Sequence, residues 1–229
     1  EKDIESVSVN RLGEVPNSSW FTNRIGLFPM PASALELGPN EGRGPSREGP
    51  WRVVRAKTQG VTPGFTIEDA TGSRYLIKFG PASAPVAPTA AGVISQRLLW
   101  AAGYWVPEDE VVRFRPEELV LADGVEFEDE EGVERVMTRA DLDRILEGVE
   151  RMDDGRIRAL SSRFLQGRPI GPFDYQGRRD DDPNDTLPHE LRRELRGLNV
   201  FAEWLIHFDT KQQNSLDMVV EGPDGPHVR

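Results

Sequence analysis

The sequence contains no cysteine and only three histidines in 229 residues. The lack of cysteine excludes disulfides and thiolate metal sites, and it leaves the redox compartment open. No apolar run approaches the roughly 18 residues that span a bilayer, so we predict no membrane span. Basic residues are also scarce, because 28 Lys and Arg stand against 39 Asp and Glu, a net charge of −11. This charge argues against a general nucleic-acid or anionic-membrane binder.

Glycine and proline are abundant, with 22 and 18 residues, and they predict many loops. Residues 1–50 have no regular pattern, and we interpret them as an arm whose aromatic residues Trp20 and Phe21 pack on a later core. The chain begins at Glu1 rather than Met and ends without an obvious cap. We therefore expect a fragment or processed piece, whose location, in the cytoplasm or exported, is open.

A strand-rich region follows the arm. Residues 51–57, 65–69 and 74–79 have the β-branched and alternating composition of three strands, and Thr71 and Gly72 form the turn between the second and third. Residues 89–103 have helical spacing and end in a glycine, and residues 110–114 are typical of a fourth strand. This order predicts an α+β protein.

The second half is more polar. Residues 123–134 carry seven acids and no base, which is typical of a solvated loop or ribbon. Thr138 and Asp141 have the spacing of a capping box that opens a short helix, and residues 156–165 suggest a fifth strand. A long amphipathic helix is predicted from about His189 to Ile206, followed by a final hairpin.

The strongest chemical motif is the octet His207 to Asn214, at the end of that long helix. Asp209 is suited to orient a nucleophilic hydroxyl and accept its proton, and Lys211 is suited to stabilise a transferring phosphoryl group. Asn214 supplies the kind of oxygen ligand that Mg²⁺ prefers. A polar loop at a helix exit, without catalysis, is the alternative interpretation.

The octet resembles the catalytic loop H-R-D-x-K-x-x-N of the protein-kinase-like superfamily, with Asp, Lys and Asn at matching offsets. The resemblance covers about residues 51–229 and is closer to the divergent HipA-like and phosphatidylinositol 3-/4-kinase-like branches. The whole chain is also similar to uncharacterised bacterial proteins that share the segment from Ser18 to Gly26. The substrate of those proteins is unknown.

The resemblance implies further roles. Residues 58–64, with Gly60, Thr62 and Gly64, resemble a glycine-rich loop whose backbone N–H groups cover nucleotide phosphates. Lys78 resembles the strand lysine that holds those phosphates. An ordinary hairpin turn and an ordinary strand lysine are the alternatives. A metal-binding D-F-G would follow Arg229, so residues 1–229 alone are expected to be inactive or very weak.

The fold expected from the resemblance is a two-lobed protein-kinase-like fold. Its N-lobe, residues 51–165 with an acidic insertion at about 123–150, would be an antiparallel sheet with one helix. The mainly helical C-lobe would be represented by the hinge and partial lobe at residues 166–229, truncated before D-F-G. The arm at residues 1–50 would precede both lobes.

Two positions depart from the superfamily pattern. Gly92 stands where the helix should carry a glutamate that pairs with Lys78, and no acid lies between Pro81 and Gly103. Glu68, Asp69 or another acid could substitute, or nucleotide alone could hold the lysine. Phe208 replaces an arginine that can pair with a phosphorylated activation loop, so we do not expect that form of switching.

Smaller candidates lie elsewhere. The acids Asp180, Asp181, Asp182 and Asp185 have the chemistry of a divalent-cation site, but a solvated loop is the favoured interpretation because they are crowded on a loop that contains proline. His189, with Glu190 and Glu194, is interpreted as a helix cap or surface group.

The function predicted from these residues is an ATP- and Mg²⁺-dependent phosphotransferase with nucleotide as partner and an acceptor that is open. The alternatives are a pseudokinase that binds nucleotide without catalysis, which Gly92 favours, and a protein-interaction scaffold.

Overall fold

The computed structural model describes residues 4–26, 28–42, 44–57, 64–128, 132–223 and 225–229. The chain divides into two compact units. The terminal unit comprises Glu1–Glu36, Leu98–Val106 and Leu165–Arg229. The sheet unit comprises Leu37–Arg97 and Pro107–Phe164.

Strands outnumber helices in the part of the chain that the structure describes. The first part of the chain contains α1 (Ala32–Leu37), β1 (Trp51–Lys57), β2 (Gly64–Glu68), β3 (Arg74–Phe79), α2 (Ala87–Ala102) and β4 (Asp109–Phe114). The middle part contains β5 (Leu119–Leu121), β6 (Glu126–Glu128), β7 (Glu134–Val136), α3 (Arg139–Glu147) and β8 (Ile157–Arg163). The last part contains β9 (Arg168–Gly171), α4 (Arg193–Trp204), β10 (Asp217–Gly222) and β11 (Gly225–Val228).

The sheet unit is built on a six-stranded sheet with the strand order β4-β8-β3-β2-β1-β5. Neighbouring strands are antiparallel except at the edge, where β5 runs parallel to β1. Alternate residues of β3 are buried because successive side chains of a strand point to opposite faces. The central core includes the fully buried side chains Trp51, Phe65, Ile67, Phe114, Leu142, Leu146 and Ile157.

The expected two-lobed protein-kinase-like fold is wrong. The protein is α+β with a six-stranded mixed sheet and two small sheets, and helix accounts for only 24% of it. The sheet is mixed rather than antiparallel because Leu119–Leu121 adds a parallel edge strand beside β1. The part expected to be mainly helical instead contains the three-stranded sheet β11-β10-β9. No helix in the described residues is long and apolar enough to cross a membrane.

The terminal unit has a small aromatic core of its own. Phe21, Leu99 and Tyr104 are buried together, and the rings of Phe21 and Tyr104 meet edge to face with centroids 5.6 Å apart. Leu198, Phe201 and Leu205 of α4 and its exit pack on this cluster.

Gly103 shows why α2 ends where it does. Its φ of +121° is a backbone conformation that favours glycine, and a Cβ at this position would overlap the ring of Phe21. The Gly103 N–H donates to the carbonyls of Leu99 and Trp100, so the residue closes the helix. The glycine expected at the helix end is therefore required both by its backbone conformation and by packing.

The predicted long helix from His189 to Ile206 is interrupted. A 3₁₀ helix covers His189–Leu191, and α4 begins only at Arg193 because Arg192 is extended, with ψ of 122°. Both interrupting residues are buried, and His189 has no exposed surface. Their polar side chains contact other groups inside the protein. These tertiary contacts override the helical spacing of the sequence.

The acidic segment is a ribbon whose middle, residues 129–131, lies outside the described residues. Strands β6 and β7 pair as an antiparallel hairpin, and Glu128 lies directly opposite Glu134. Phe127 is half-buried against the core, with the guanidinium of Arg135 4.7 Å above its ring centroid. The Thr138–Asp141 capping box that opens α3 is present as the spacing indicated.

Candidate functional site

The octet forms an exposed loop of the terminal unit immediately after α4. Ile206, which precedes it, has a φ of +53°, the one positive φ of a non-glycine residue in the described chain. This left-handed residue reverses the backbone after α4. The Thr210 hydroxyl donates to the His207 carbonyl over 3.3 Å. The loop is thus a defined reversal rather than a continuation of the helix.

Asp209 and Lys211 are brought together on this loop. The Nζ of Lys211 lies 3.9 Å from Oδ1 of Asp209, and both side chains are more than half exposed. An exposed pair at this distance contributes little to stability, because water screens it and two flexible side chains must be held in place. The pair is therefore available to a ligand at small energetic cost.

Asn214 ends a short 3₁₀ helix, Gln212–Asn214, that follows the pair. Its N–H donates to the Lys211 carbonyl over 2.8 Å, while its side chain is exposed. The Ser215 hydroxyl donates to the Gln212 carbonyl over 2.8 Å and helps to close the turn. One backbone turn therefore links Asn214 to Lys211.

Phe208 is the most exposed large apolar residue of the loop, at 84% exposure. Trp204 and Ile206 just before it are each about two-thirds exposed, at 66% and 68%. Phe208, at the position where the kinase-like motif has an arginine, therefore exposes an aromatic ring to solvent.

Lys78 lies on β3 of the sheet unit, half-buried, with Gly64 of β2 on one side and Leu160 of β8 on the other. It makes no ion pair with a carboxylate of the described residues. Gly64 is the first residue of β2 and is buried, so it belongs to the strand rather than to the expected loop, whereas Gly60 and Thr62 lie outside the described residues. Each group of candidate residues, Lys78 with Gly64 and Asp209 with Lys211, thus lies within its own unit.

Asp109 interacts electrostatically with Lys78. Burial raises the pKa of Asp109 to about 6, although a hydrogen bond from Ser162 and the charges of Lys78 and Arg97 act in the opposite direction. The side chain is 8% exposed at the start of β4. No sequence signal distinguished this residue, because β4 and β3 become neighbours of the same strand, β8, only in the folded sheet.

The acids considered as substitutes for the missing glutamate have other roles. Glu68 pairs with Arg52 and Arg74, each over 3.4 Å. Asp69 accepts hydrogen bonds from the backbone of Ser46, Thr71 and Ser73 and holds the β2–β3 turn.

Gly92 lies where α2 approaches the sheet most closely. A Cβ built at Gly92 would lie 3.0 Å from Cδ2 of Leu160, which is tighter than ordinary van der Waals contact. Close packing of helix on strand therefore explains the glycine, and a glutamate there would have to displace Leu160.

Two of the smaller candidates, His189 and Asp185, belong to a buried polar network with Arg192. The Nδ1–H of His189 donates to the Asp174 carbonyl, and Nε2 lies 2.7 Å from Oδ2 of Asp185. Arg192 donates to the same carboxylate over 2.9 Å. Burial opposes ionisation of Asp185, yet these hydrogen bonds and one from the Arg179 N–H leave its pKa below the ordinary value.

Aromatic rings complete this network. The imidazole of His189 stacks on Phe173 with centroids 4.8 Å apart, and Trp20 contacts both rings. Interpreting His189 as a cap or surface group was therefore wrong, since the side chain is fully enclosed. Among the described residues, the aspartates around residue 180 belong to no group of three or more side chains that could hold a metal ion.

A polar cavity of about 300 Å³ also lies within the sheet unit, lined by Tyr75, Glu108, Glu110 and Arg163 among others. Its acids outnumber its one arginine, but each acid has a partner within the protein. Arg163 pairs with Glu41 over 3.0 Å and with Glu108 over 2.8 Å. This cavity therefore shows no group that requires a ligand.

Comparisons of the chain with protein-family models, with characterised proteins and with solved structures find no match.

Proposed function

We propose that this chain provides the nucleotide-binding and phosphoryl-transfer residues of an ATP- and Mg²⁺-dependent phosphotransferase. The observation that carries the proposal is the exposed pair of Asp209 and Lys211, 3.9 Å apart on the reversed loop after α4, with Asn214 one turn later. A carboxylate, an ammonium and an amide on one tight loop are the groups that phosphoryl transfer to a hydroxyl needs.

The roles follow from the chemistry of each group. The Asp209 carboxylate, exposed to solvent, orients the acceptor hydroxyl and takes up its proton. The Lys211 ammonium, close to that carboxylate, offsets negative charge on the transferring group. The acceptor is therefore a hydroxyl compound.

Lys78 contributes a second cation, in the sheet unit. It is half-buried on a central strand and has no ion pair with the described residues, so its ammonium is available to nucleotide phosphates. Gly64 pairs with Lys78 across β2 and β3 but is buried, so in this proposal the phosphates meet the lysine rather than the glycine.

Magnesium is expected mainly on the nucleotide in this proposal. Mg²⁺ keeps several waters and is usually bound by one or two protein oxygens together with substrate phosphates. The described residues form no group of three metal-ligating side chains. Asn214 provides one exposed oxygen ligand, and the protein residues discussed here act on the hydroxyl and on the phosphate charge.

The test measures release or transfer of the γ-phosphate of ATP with and without Mg²⁺. We expect Asp209→Asn to lower kcat by about 100-fold or more, the usual contribution of a general base. Glu203→Gln is the matched control, because this exposed acid lies near the end of α4, just before the loop that carries Asp209, and the charge changes in the same way. If the wild-type protein turns over ATP and Asp209→Asn does so at the same rate, the assignment is excluded.

A second candidate is a nucleotide-binding module without catalysis. Gly92 favours it, because this position carries no carboxylate that could hold Lys78 in place, and a side chain there would press on Leu160. ATP would then raise the melting temperature of the protein, and Lys78→Met would abolish that shift, without any turnover. If no nucleotide changes the melting temperature, a protein-interaction role is favoured.

A further inference from the structure

Two arginines of the terminal unit converge on one aromatic side chain. The Cζ of Arg24 lies 5.0 Å from the ring centroid of Trp105, and the Cζ of Arg229 lies 3.7 Å from a ring centroid of the same indole. Arg24 also lies 5.0 Å from the ring centroid of Trp100. Two guanidinium charges therefore meet at a single indole.

Backbone hydrogen bonds hold the three side chains in place. Nη1 of Arg24 donates to the carbonyls of Trp100, over 2.6 Å, and Tyr104, over 3.3 Å. Nε1 of Trp105 donates to the Ser19 carbonyl over 2.8 Å. The backbone of Arg229 exchanges two hydrogen bonds with Met218, of 2.8 and 2.9 Å. The arrangement is therefore anchored from three separate segments of the chain.

Among the described residues, no side-chain carboxylate pairs with either of these charges. Neither Arg24 nor Arg229 makes an ion pair within the residues that the structure describes, although Arg179 and Arg192 of the same unit are both paired with aspartates. Burial, and then the charge of Arg229, lower the pKa of Arg24. Burial also lowers the pKa of Arg229. The two cations thus repel each other in a partly desolvated place.

Hydrogen-bond donors remain available at this point. Only Nη1 of Arg24 is used by the described residues, and the guanidinium of Arg229 donates to none of them. Arg229 is exposed, and Trp105 keeps 38% of its surface accessible. A ligand can therefore reach both guanidinium groups from solvent.

We propose that Arg24, Trp105 and Arg229 form a binding site for a phosphate dianion. A phosphate or phosphate monoester carries nearly two negative charges at neutral pH, which matches two guanidinium groups, and its oxygens accept their paired donors. A carboxylate supplies only one charge. The site is separate in its residues from Lys78 and Asp209, and it does not depend on the function proposed above.

The test titrates the protein with inorganic phosphate, and separately with glycerol 3-phosphate, against chloride at equal ionic strength and without Mg²⁺. Tryptophan fluorescence reports on binding because Trp105 contacts both guanidinium groups, and calorimetry gives the affinity. We expect saturable binding of at least one phosphate compound. The compound that saturates at the lower concentration identifies free phosphate or a monoester as the source.

Arg229→Gln is the decisive variant, because the side chain of Arg229 donates no hydrogen bond to the described residues and its loss should leave the fold intact. Loss of one charged, paired contact should weaken phosphate binding about tenfold or more. Arg11→Gln is the matched control, an exposed arginine of the same unit, and should bind as wild type.

Lys78→Gln separates this site from the proposed nucleotide site and should retain phosphate binding. The proposal is overturned if phosphate and chloride give the same response, if Arg229→Gln binds phosphate as tightly as wild type, or if Lys78→Gln abolishes the response. Failure of ATP turnover leaves these outcomes unchanged, so the two proposals fail separately.

Discussion

Asp109 illustrates, at the scale of one residue, how burial and charge compete. The carboxylate lies at the first position of β4 with 8% of the residue exposed. Its pKa of about 6 reflects burial first, with Ser162, Lys78 and Arg97 acting against it. In the unfolded chain the group ionises near pH 4. Asp109 therefore favours the folded state most below about pH 4, and this contribution is lost as the pH rises through about 6.

We predict that Asp109→Asn removes this pH dependence. Between about pH 4 and pH 6.5 the unfolding free energy of the wild type should fall by about 2 to 3 kcal/mol relative to the variant. Urea unfolding at a series of pH values measures the difference. Ser162→Ala is a matched variant, because losing the Ser162 hydrogen bond raises the pKa of Asp109 further and moves the window upward. Parallel curves for Asp109→Asn and wild type would contradict the prediction.

Gly103 gives a second prediction at the residue scale. Gly103→Ala places a Cβ against the ring of Phe21 and forces an L-residue to adopt a φ of +121°. Strain and overpacking together should lower the unfolding free energy by about 3 kcal/mol. Gly124→Ala is the control, because Gly124 has a φ of +71° with open space around it. Gly124→Ala should lower the unfolding free energy only by the backbone strain, about 1 kcal/mol. Equal losses for the two variants would show that Phe21 does not restrict residue 103.

The segment before α4 shows, at the scale of elements, how tertiary contacts override helical spacing. His189 is enclosed by Trp20 and Phe173, and its two ring nitrogens face Asp174 and Asp185. These partners come from loops, so the ring holds together segments that have little regular structure. The 3₁₀ turn and the extended Arg192 are what this burial requires.

We predict that His189→Ala is strongly destabilising. The change opens a cavity between two aromatic rings and leaves a buried Asp185 oxygen without its partner, so the unfolding free energy should fall by about 3 to 5 kcal/mol. His207→Ala is the control, because His207 lies on the exposed loop after α4, and it should change stability by less than about 0.5 kcal/mol. Similar melting temperatures for His189→Ala and His207→Ala would contradict the internal role of His189.

The sequence patterns correctly predicted the features that depend on neighbouring residues. The β2–β3 turn with Gly72, the capping box of Thr138 and Asp141, and the glycine end of α2 all depend on residues within a few positions of each other. The parallel strand β5, the enclosure of His189 and the approach of Asp109 to Lys78 depend on contacts between distant segments. Sequence spacing carries no signal for such contacts, so these features were missed.

The candidate residues divide in the same way. The nearness of Asp209 and Lys211 could be predicted because a two-residue offset on a tight loop keeps them close. A partner acid for Lys78 could not be predicted from α2, since the helix has a glycine, Gly92, where it packs against Leu160. The arrangement of Arg24, Trp105 and Arg229 joins three distant segments and had no counterpart in any linear motif.

Charge is the property that acts across the whole molecule. The net charge is −11, of which residues 123–134 supply −7, so the rest of the chain carries only −4. Glu128 and Glu134 lie directly opposite each other in the β6–β7 hairpin, where like charges destabilise pairing. The arginine–carboxylate pairs of the surface act in the opposite direction, but each contributes roughly 0 to 1 kcal/mol.

Added salt should therefore stabilise the protein. Raising KCl from about 0.02 M to about 0.5 M shortens the screening length from roughly 20 Å to a few Å, which weakens repulsion within the acidic segment more than it weakens the short ion pairs. We expect the wild-type unfolding free energy to rise by about 1 kcal/mol. The triple variant Glu126→Gln, Glu128→Gln and Glu134→Gln, with a net charge of −8 instead of −11, should show at most half of this rise. Urea unfolding at both salt concentrations measures the effect, and a wild-type protein that loses stability in salt would mean that its ion pairs outweigh the repulsion.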